Sequence, residues 1–124
     1  MTEPNLSQWP SPVATRAIEA TVQLPGSKSL TNREFLLAAI ATEPTSFSGA
    51  LISRDSRLML EALQALGAKV ENQDTTYPIV HPATLKANAT IHCGLAGTVM
   101  RFVPPLSALN QGRVTLDGDE AVRK

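Results

Sequence analysis

The stretch "LPGSKSLTNREFLLAAIA" (residues 24–41) closes an extended segment, turns, and opens a helix crowded with groups that bind anions. Upstream, "IEATVQLP" (18–25) reads as a strand that stops at Pro25-Gly26. The spacing predicts a first helix from about Ser27 to Ala41, with Leu30, Leu37, Ile40 and neighbouring alanines covering one face. "SFSGAL" (46–51) predicts a short strand. A second helix follows, because Met59, Ala62, Leu63 and Leu66 fall at i, i+3, i+4 and i+7, with Asp55 as its N-cap and Gly67 as its C-cap. "KVENQ" and "YPIVHP", separated by "DTT", predict a hairpin with Pro82 at its end or edge. "ATIHC" (89–93) predicts a strand, then a helix from about Thr98 to Leu109 that Pro104-Pro105 should break or kink, then the strand "RVTLDG" (113–118). The order β-α-β-α-β-β-β-α-β argues for an α/β or α+β layer structure, helices against a mixed sheet, with parallel crossovers implied wherever strand, helix and strand succeed one another.

Composition sets the limits on function. At 124 residues and 43% hydrophobic content, the chain is long enough for one domain with its own core. Eleven basic and eleven acidic side chains balance, so there is no broad electrostatic footprint for nucleic acid or an anionic membrane, and any anion binding must be local. One cysteine, Cys93, excludes an internal disulfide framework and fits a reducing compartment. No long apolar stretch offers a membrane span, and "MTEPNLSQWPSP" lacks the basic start and apolar run of a secretory signal. The expected location is the cytoplasm.

The first turn of a helix leaves backbone N–H groups without intrahelical partners and carries the positive end of the helix dipole. It is a natural seat for phosphate or carboxylate. Gly26 allows a tight turn or close approach of a ligand to the backbone, while Ser27 and Ser29 can donate hydroxyls. Lys28 adds a point charge, and Arg33, four residues beyond Ser29, adds a planar fork. Spacing alone leaves a plainer reading open, in which a serine caps the helix and Lys28 and Arg33 are solvated charges.

The second glycine turn repeats the pattern. In "CGLAGTVMR" (93–101) a strand ends, Gly94 and Gly97 loosen the turn, Thr98 can cap the helix, and Arg101 follows one turn on. Neither turn fits the dinucleotide or P-loop fingerprints, which points to a small phosphorylated or carboxylated molecule.

In this order, "LPGSKSLTNR" (24–33), "SRDSRLMLEALQALGAKV" (53–70) and "GLAGTVMR" (94–101) closely resemble the amino-terminal part of the 5-enolpyruvylshikimate 3-phosphate synthase family, the shikimate-pathway enzymes of aromatic amino acid biosynthesis that glyphosate inhibits. The resemblance runs from about residue 18 onward. It implies transfer of the enolpyruvyl group from phosphoenolpyruvate to shikimate 3-phosphate, with release of phosphate and with no metal or organic cofactor. Carried over by position, Lys28 would contact both substrates and act in catalysis, and Ser29 and Arg33 would bind shikimate 3-phosphate. Gly97 would approach phosphoenolpyruvate or glyphosate, with Thr98 and Arg101 shaping its turn. Leu95 and Phe102 depart from an asparagine and a proline often found at those places.

Family members are several times longer, with two similar domains of three βαβαββ units each that close over the substrates. The resemblance therefore implies an incomplete domain. Residues 1–25 would form a leader and first strand belonging with the opposite domain, and residues 26–124 a partial substrate-binding domain of about one and a half units. Chemistry that needs groups on both sides of a closed cleft should not run on half of one wall, so the chain alone is expected to be inactive and to need the missing C-terminal part or self-association.

The remaining polar residues have simpler expectations. Cys93 reads as a small buried side chain rather than a nucleophile, with His92 its only nearby base, and His81 as an edge or surface histidine. Asp55, Asp117, Asp119 and Glu120 can be read as acid/base groups or as caps and turns. Trp9 is expected to pack the leader. Two further readings stand beside the first: a fragment of the related UDP-sugar enolpyruvyl transferase, disfavoured by "GSKSLTNR", and a free-standing module that binds a small phosphorylated ligand without catalysis.

Overall fold

The computed structural model describes residues 10–85 and 88–124; the packing expected of Trp9 lies outside the described residues. Three helices, α1 (Lys28–Ala39), α2 (Arg54–Ala65) and α3 (Gly97–Ser107), pack on one another. The strands are β1 (Thr45–Ser46), β2 (Val70–Glu71), β3 (Ile79–Val80), β4 (Ala89–His92) and β5 (Val114–Asp117), and a 3-10 turn at Glu120–Val122 follows. β3 is central to a three-stranded antiparallel sheet in the order β1-β3-β2, with Val80 opposite both Thr45 and Val70. β4 and β5 pair in parallel from Ala89↔Val114 to His92↔Asp117, joined through α3. Helices beside an antiparallel and a parallel sheet are the expected α/β (α+β) class.

α2 sits at the centre because its apolar period matches the helical one. Leu58, Met59, Leu60, Ala62 and Leu63 are buried, and Leu66 beyond them is fully so. Burial of each large side chain is worth about 1.5–3 kcal/mol. Its N-cap is Ser53, in a reciprocal pair with Ser56, and not Asp55, which lies inside the first turn. A serine hydroxyl there reaches the third backbone N–H and leaves the aspartate free to pair elsewhere. At the other end Gly67 has φ +95°, and the N–H groups of Gly67 and Ala68 close on the carbonyls of Gln64 and Leu63 at 2.9 Å each. This is the left-handed glycine stop expected after a helix.

α1 turns the other way from the expectation. Thr31, Asn32, Phe35, Ala38 and Ala39 face the interior, whereas Leu30, Leu37 and Ile40 are half exposed. Phe35 decides the face: it is fully buried against Phe47 in an edge-to-face contact 4.9 Å between centroids.

Three other expectations are corrected. Residues 18–25 form no strand; the segment is extended, and Ile18, Val22 and Leu24 are 74–83% exposed because no described strand lies alongside to accept its ladder. The strand expected over 46–51 is confined to Thr45–Ser46, since Gly49 turns the chain at φ +74°. α3 starts at Gly97, runs unbroken through Pro104 and Pro105 and ends at Ser107; the prolines deprive the carbonyls of Met100 and Arg101 of helical donors, but buried Val99, Val103 and Leu106 keep the segment seated. Among the described residues no helix is long and apolar enough to cross a membrane.

Candidate functional site

The two glycine turns are brought to neighbouring helices. Gly26 has no room for a side chain, because a Cβ would stand 2.4 Å from the Gly49 carbonyl oxygen. Its glycine serves the chain's own backbone and seats the start of α1 against residues 49–51. Ser27 then caps α1, its Oγ accepting from the Leu30 N–H at 3.4 Å. The capping reading therefore holds for Ser27 and not for Ser29, which is exposed and makes no side-chain hydrogen bond among the described residues.

Behind these exposed groups, two buried polar residues fix α1. Thr31 Oγ1 accepts from the Leu51 N–H at 3.1 Å, and Asn32 Nδ2 donates to Thr98 Oγ1 at 2.6 Å. Asn32 is fully buried, and its Oδ1 has no partner. The bond to Asn32 also corrects the expected role of Thr98: its hydroxyl does not cap α3, whose N-cap is Ala96 without any side-chain hydrogen bond. The uncapped first turn of α3 leaves backbone N–H groups and the positive dipole end available. In front of Gly97 an added Cβ would meet nothing within 4 Å.

The cations divide between two arrangements. Lys28 Nζ reaches across to α2 and pairs with Asp55 Oδ2 at 2.9 Å, the lysine half exposed and the aspartate largely covered. Arg33 and Arg101 are exposed and, among the described residues, have no carboxylate partner. The Arg33 guanidinium lies 5.6 Å from the centroid of the Phe102 ring on α3, so the departure at position 102 supplies a face for that arginine. No hydrogen bond or ion pair joins Lys28 or Ser29 to α3 among the described residues. The expected residues thus lie on two adjoining helices, held by Asn32–Thr98 and Arg33–Phe102, with Lys28 turned towards α2.

Other candidates are accounted for by partners. Cys93 is buried, and burial first, then the charge of Asp117, pushes its thiol up, which opposes a nucleophilic role. His81 Nε2 lies 3.0 Å from Glu71 Oε1 on the hairpin, and Glu71 is held low first by Lys69 and then by His81. Asp117 accepts from Arg123 and from the Gly118 N–H, and Glu120 pairs with Lys124 at 2.9 Å. Asp119 takes Arg54 at 2.7 Å and faces His92 at 3.2 Å. Among the described residues no three His, Cys, Asp or Glu side chains are grouped to hold a metal.

Sequence spacing did not single out Asn32 or Arg54. Their partners are distant in the chain, 66 residues away for Asn32 and 65 for Arg54, so only the fold reveals them. Two concavities, one of about 570 Å³ along residues 13–19 and one of about 310 Å³ between β5 and α3, contain none of the expected site residues. The site residues instead line an open surface.

A family model described as EPSP synthase (3-phosphoshikimate 1-carboxyvinyltransferase) matches residues 13–124. A 3-phosphoshikimate 1-carboxyvinyltransferase of Bifidobacterium longum (strain DJO10A) is 46% identical over 97% of this chain, and one of Mycobacterium ulcerans (strain Agy99) is 45% identical over 96%. The chain spans 28% of the length of each of these relatives. The structure of an EPSP synthase from Acinetobacter baumannii is similar with a TM-score of 0.69 and 26% identity, over 83% of this chain and 24% of that one.

Proposed function

Because the chain belongs to the EPSP synthase (3-phosphoshikimate 1-carboxyvinyltransferase) family, we propose that it forms part of one wall of an enolpyruvyl transferase site, acting on shikimate 3-phosphate and phosphoenolpyruvate. In the transfer, a carbon–oxygen bond forms between a hydroxyl of shikimate 3-phosphate and the enolpyruvyl carbon, the bond from that carbon to the phosphate oxygen breaks, and the hydroxyl proton ends on the released phosphate. Both substrates are polyanions. The wall's contribution is charge stabilisation and positioning: Ser29 and Arg33 take shikimate 3-phosphate, Lys28 leaves Asp55 to contact both substrates, and the open turn at Gly97, backed by Thr98 and Arg101, takes phosphoenolpyruvate. The observation that carries this reading is the pair of exposed arginines, Arg33 and Arg101, which have no carboxylate partner among the described residues and sit on helices whose starts are tied together by the Asn32–Thr98 bond.

Residues 26–124 are the substrate-binding part, and residues 1–25 belong with a second body. Exposed Ile18, Val22 and Leu24 all fall on even positions of an extended segment and so share one face, as a strand awaiting a sheet would place them. The open surface at the site supports the companion proposal that the chain alone does not turn over and that catalysis needs a facing wall, supplied by further chain or by association. The lone buried cysteine supports a reducing, cytoplasmic location.

The test is a nitrogen–proton correlation spectrum of the 124-residue chain, titrated with shikimate 3-phosphate and, as a control, UDP-N-acetylglucosamine. Shifts at Ser29 to Arg33 with the first ligand only are expected. A folded spectrum indifferent to shikimate 3-phosphate, or one answering the UDP-sugar instead, overturns the assignment; phosphate release by the purified chain alone overturns the claim of inactivity.

A further inference from the structure

The first two residues of α2 reach the two halves of the site from behind. Asp55 pairs with Lys28, at the start of α1. Arg54 extends the opposite way: its Nη2 donates to Asp119 Oδ2 at 2.7 Å, in the turn after β5, and Asp119 Oδ1 faces His92 Nε2 at the end of β4. The same guanidinium lies over the Gly94 backbone, where a Cβ would stand 3.1 Å from Nη2 and 2.8 Å from Leu58 Cδ1. Gly94 is at φ +57°, and its carbonyl accepts from the Asp119 N–H at 3.2 Å. The loop that delivers the uncapped start of α3 is therefore hydrogen-bonded by the Asp119 backbone from the post-β5 turn and flanked by the Arg54 guanidinium from α2, and the Asp119 carboxylate ties that guanidinium to the same turn.

We propose that Arg54 is a positioning residue for the α3 half of the site: acting through Asp119 and Gly94, it fixes where Gly97 and the first-turn N–H groups of α3 stand. The inference rests on the proposed function for its ligand and on geometry for its mechanism. Arg54 does not touch substrate. Its ion pair is exposed, so its contribution to global stability is small. The effect should appear instead as selective loss at one of two subsites.

The experiment compares the wild-type chain with R54Q, R54K and D119N. Without ligand, R54Q and D119N are expected to speed amide exchange at Gly94 to Thr98 while leaving α1 and α2 protected; unchanged exchange there overturns the proposal. With ligand, R54Q should weaken the response of Gly97 to Arg101 to phosphoenolpyruvate by up to about five-fold, the upper size of an exposed ion pair. Affinity for shikimate 3-phosphate, read at Ser29 and Arg33, should not change, and R54K should restore part of the loss. Equal weakening of both ligands marks a merely structural residue and also overturns it. If the wild-type chain ignores both ligands, the proposed function fails, and the exchange measurement still decides the role of Arg54.

Discussion

Asn32 on α1 and Thr98 on α3 are joined by a 2.6 Å hydrogen bond between a fully buried amide and the hydroxyl of the second residue of α3. The bond fixes the separation of the two helix starts. It also leaves Asn32 strongly dependent on Thr98, because the bond is made by the amide nitrogen and the amide oxygen has no partner. Thr98→Val strips the buried amide of its remaining bond and should lower stability by about 1–3 kcal/mol, the cost of an unsatisfied buried group. Replacing both partners by apolar side chains of similar shape, Asn32→Leu with Thr98→Val, should recover most of that loss. Urea unfolding midpoints at constant slope make the comparison. A single variant as stable as wild type would show that the bond stabilises nothing.

Gly67 occupies a conformation that other residues enter at a cost. Its φ of +95° ends α2, and an added Cβ would lie 2.2 Å from Thr84 Oγ1. Gly67→Ala combines left-handed strain of about 1–2 kcal/mol with that clash. Adding Thr84→Ala should relieve the clash alone, so the double variant should regain only part of the midpoint. Full recovery would mean that the backbone angle costs nothing here.

What the sequence made legible was local in origin. Met59, Ala62, Leu63 and Leu66 announce α2, and the runs on either side of "DTT" announce the hairpin, because period and turn chemistry act over a few residues. The residues of both glycine turns were visible for the same reason. Long-range partners were not. Whether α1 buries Leu37 or Phe35 depends on what α2 and α3 present to it, and the strand expected at 18–25 has the pattern but no neighbouring edge among the described residues. The N-cap of α2 passed from Asp55 to Ser53 because Ser56 reciprocates it, which freed Asp55 for Lys28. Pro104-Pro105 argued locally against a helix that tertiary packing retains.

Acid should weaken the β4–β5 end of the molecule. Asp119 is held below the usual carboxylate range chiefly by the Arg54 hydrogen bond, with His92 also facing it, and Asp117 by Arg123 and then the Gly118 N–H. A carboxylate with a depressed folded pKa contributes stability in full above its unfolded value of about 3.9, and loses it as pH falls through the folded one. The urea midpoint should therefore be level above about pH 5 with respect to these two groups and decline below pH 4. In D117N/D119N that acid-side decline should be shallower. An identical decline in the double variant would assign the acid sensitivity to other carboxylates.

The Phe102 ring beneath Arg33 gives the last prediction, which depends on the proposed role of Arg33 in holding shikimate 3-phosphate. At 5.6 Å from the centroid, and with the arginine exposed, the ring should stabilise the guanidinium by about 0.5–1 kcal/mol. Phe102→Leu keeps an apolar side chain but removes the π face, so affinity for shikimate 3-phosphate should fall about two- to five-fold. Arg33→Ala removes the charge itself, worth about 1.5–3 kcal/mol in a charged hydrogen bond, and should weaken binding by roughly ten-fold or more. If the ring acts through the arginine, Phe102→Leu should cost nothing further in the Arg33→Ala background. Titrations followed at the Ser29 amide report all four members of the cycle. An equal penalty in both backgrounds would mean that Phe102 supports the site by packing α3 and not by orienting Arg33.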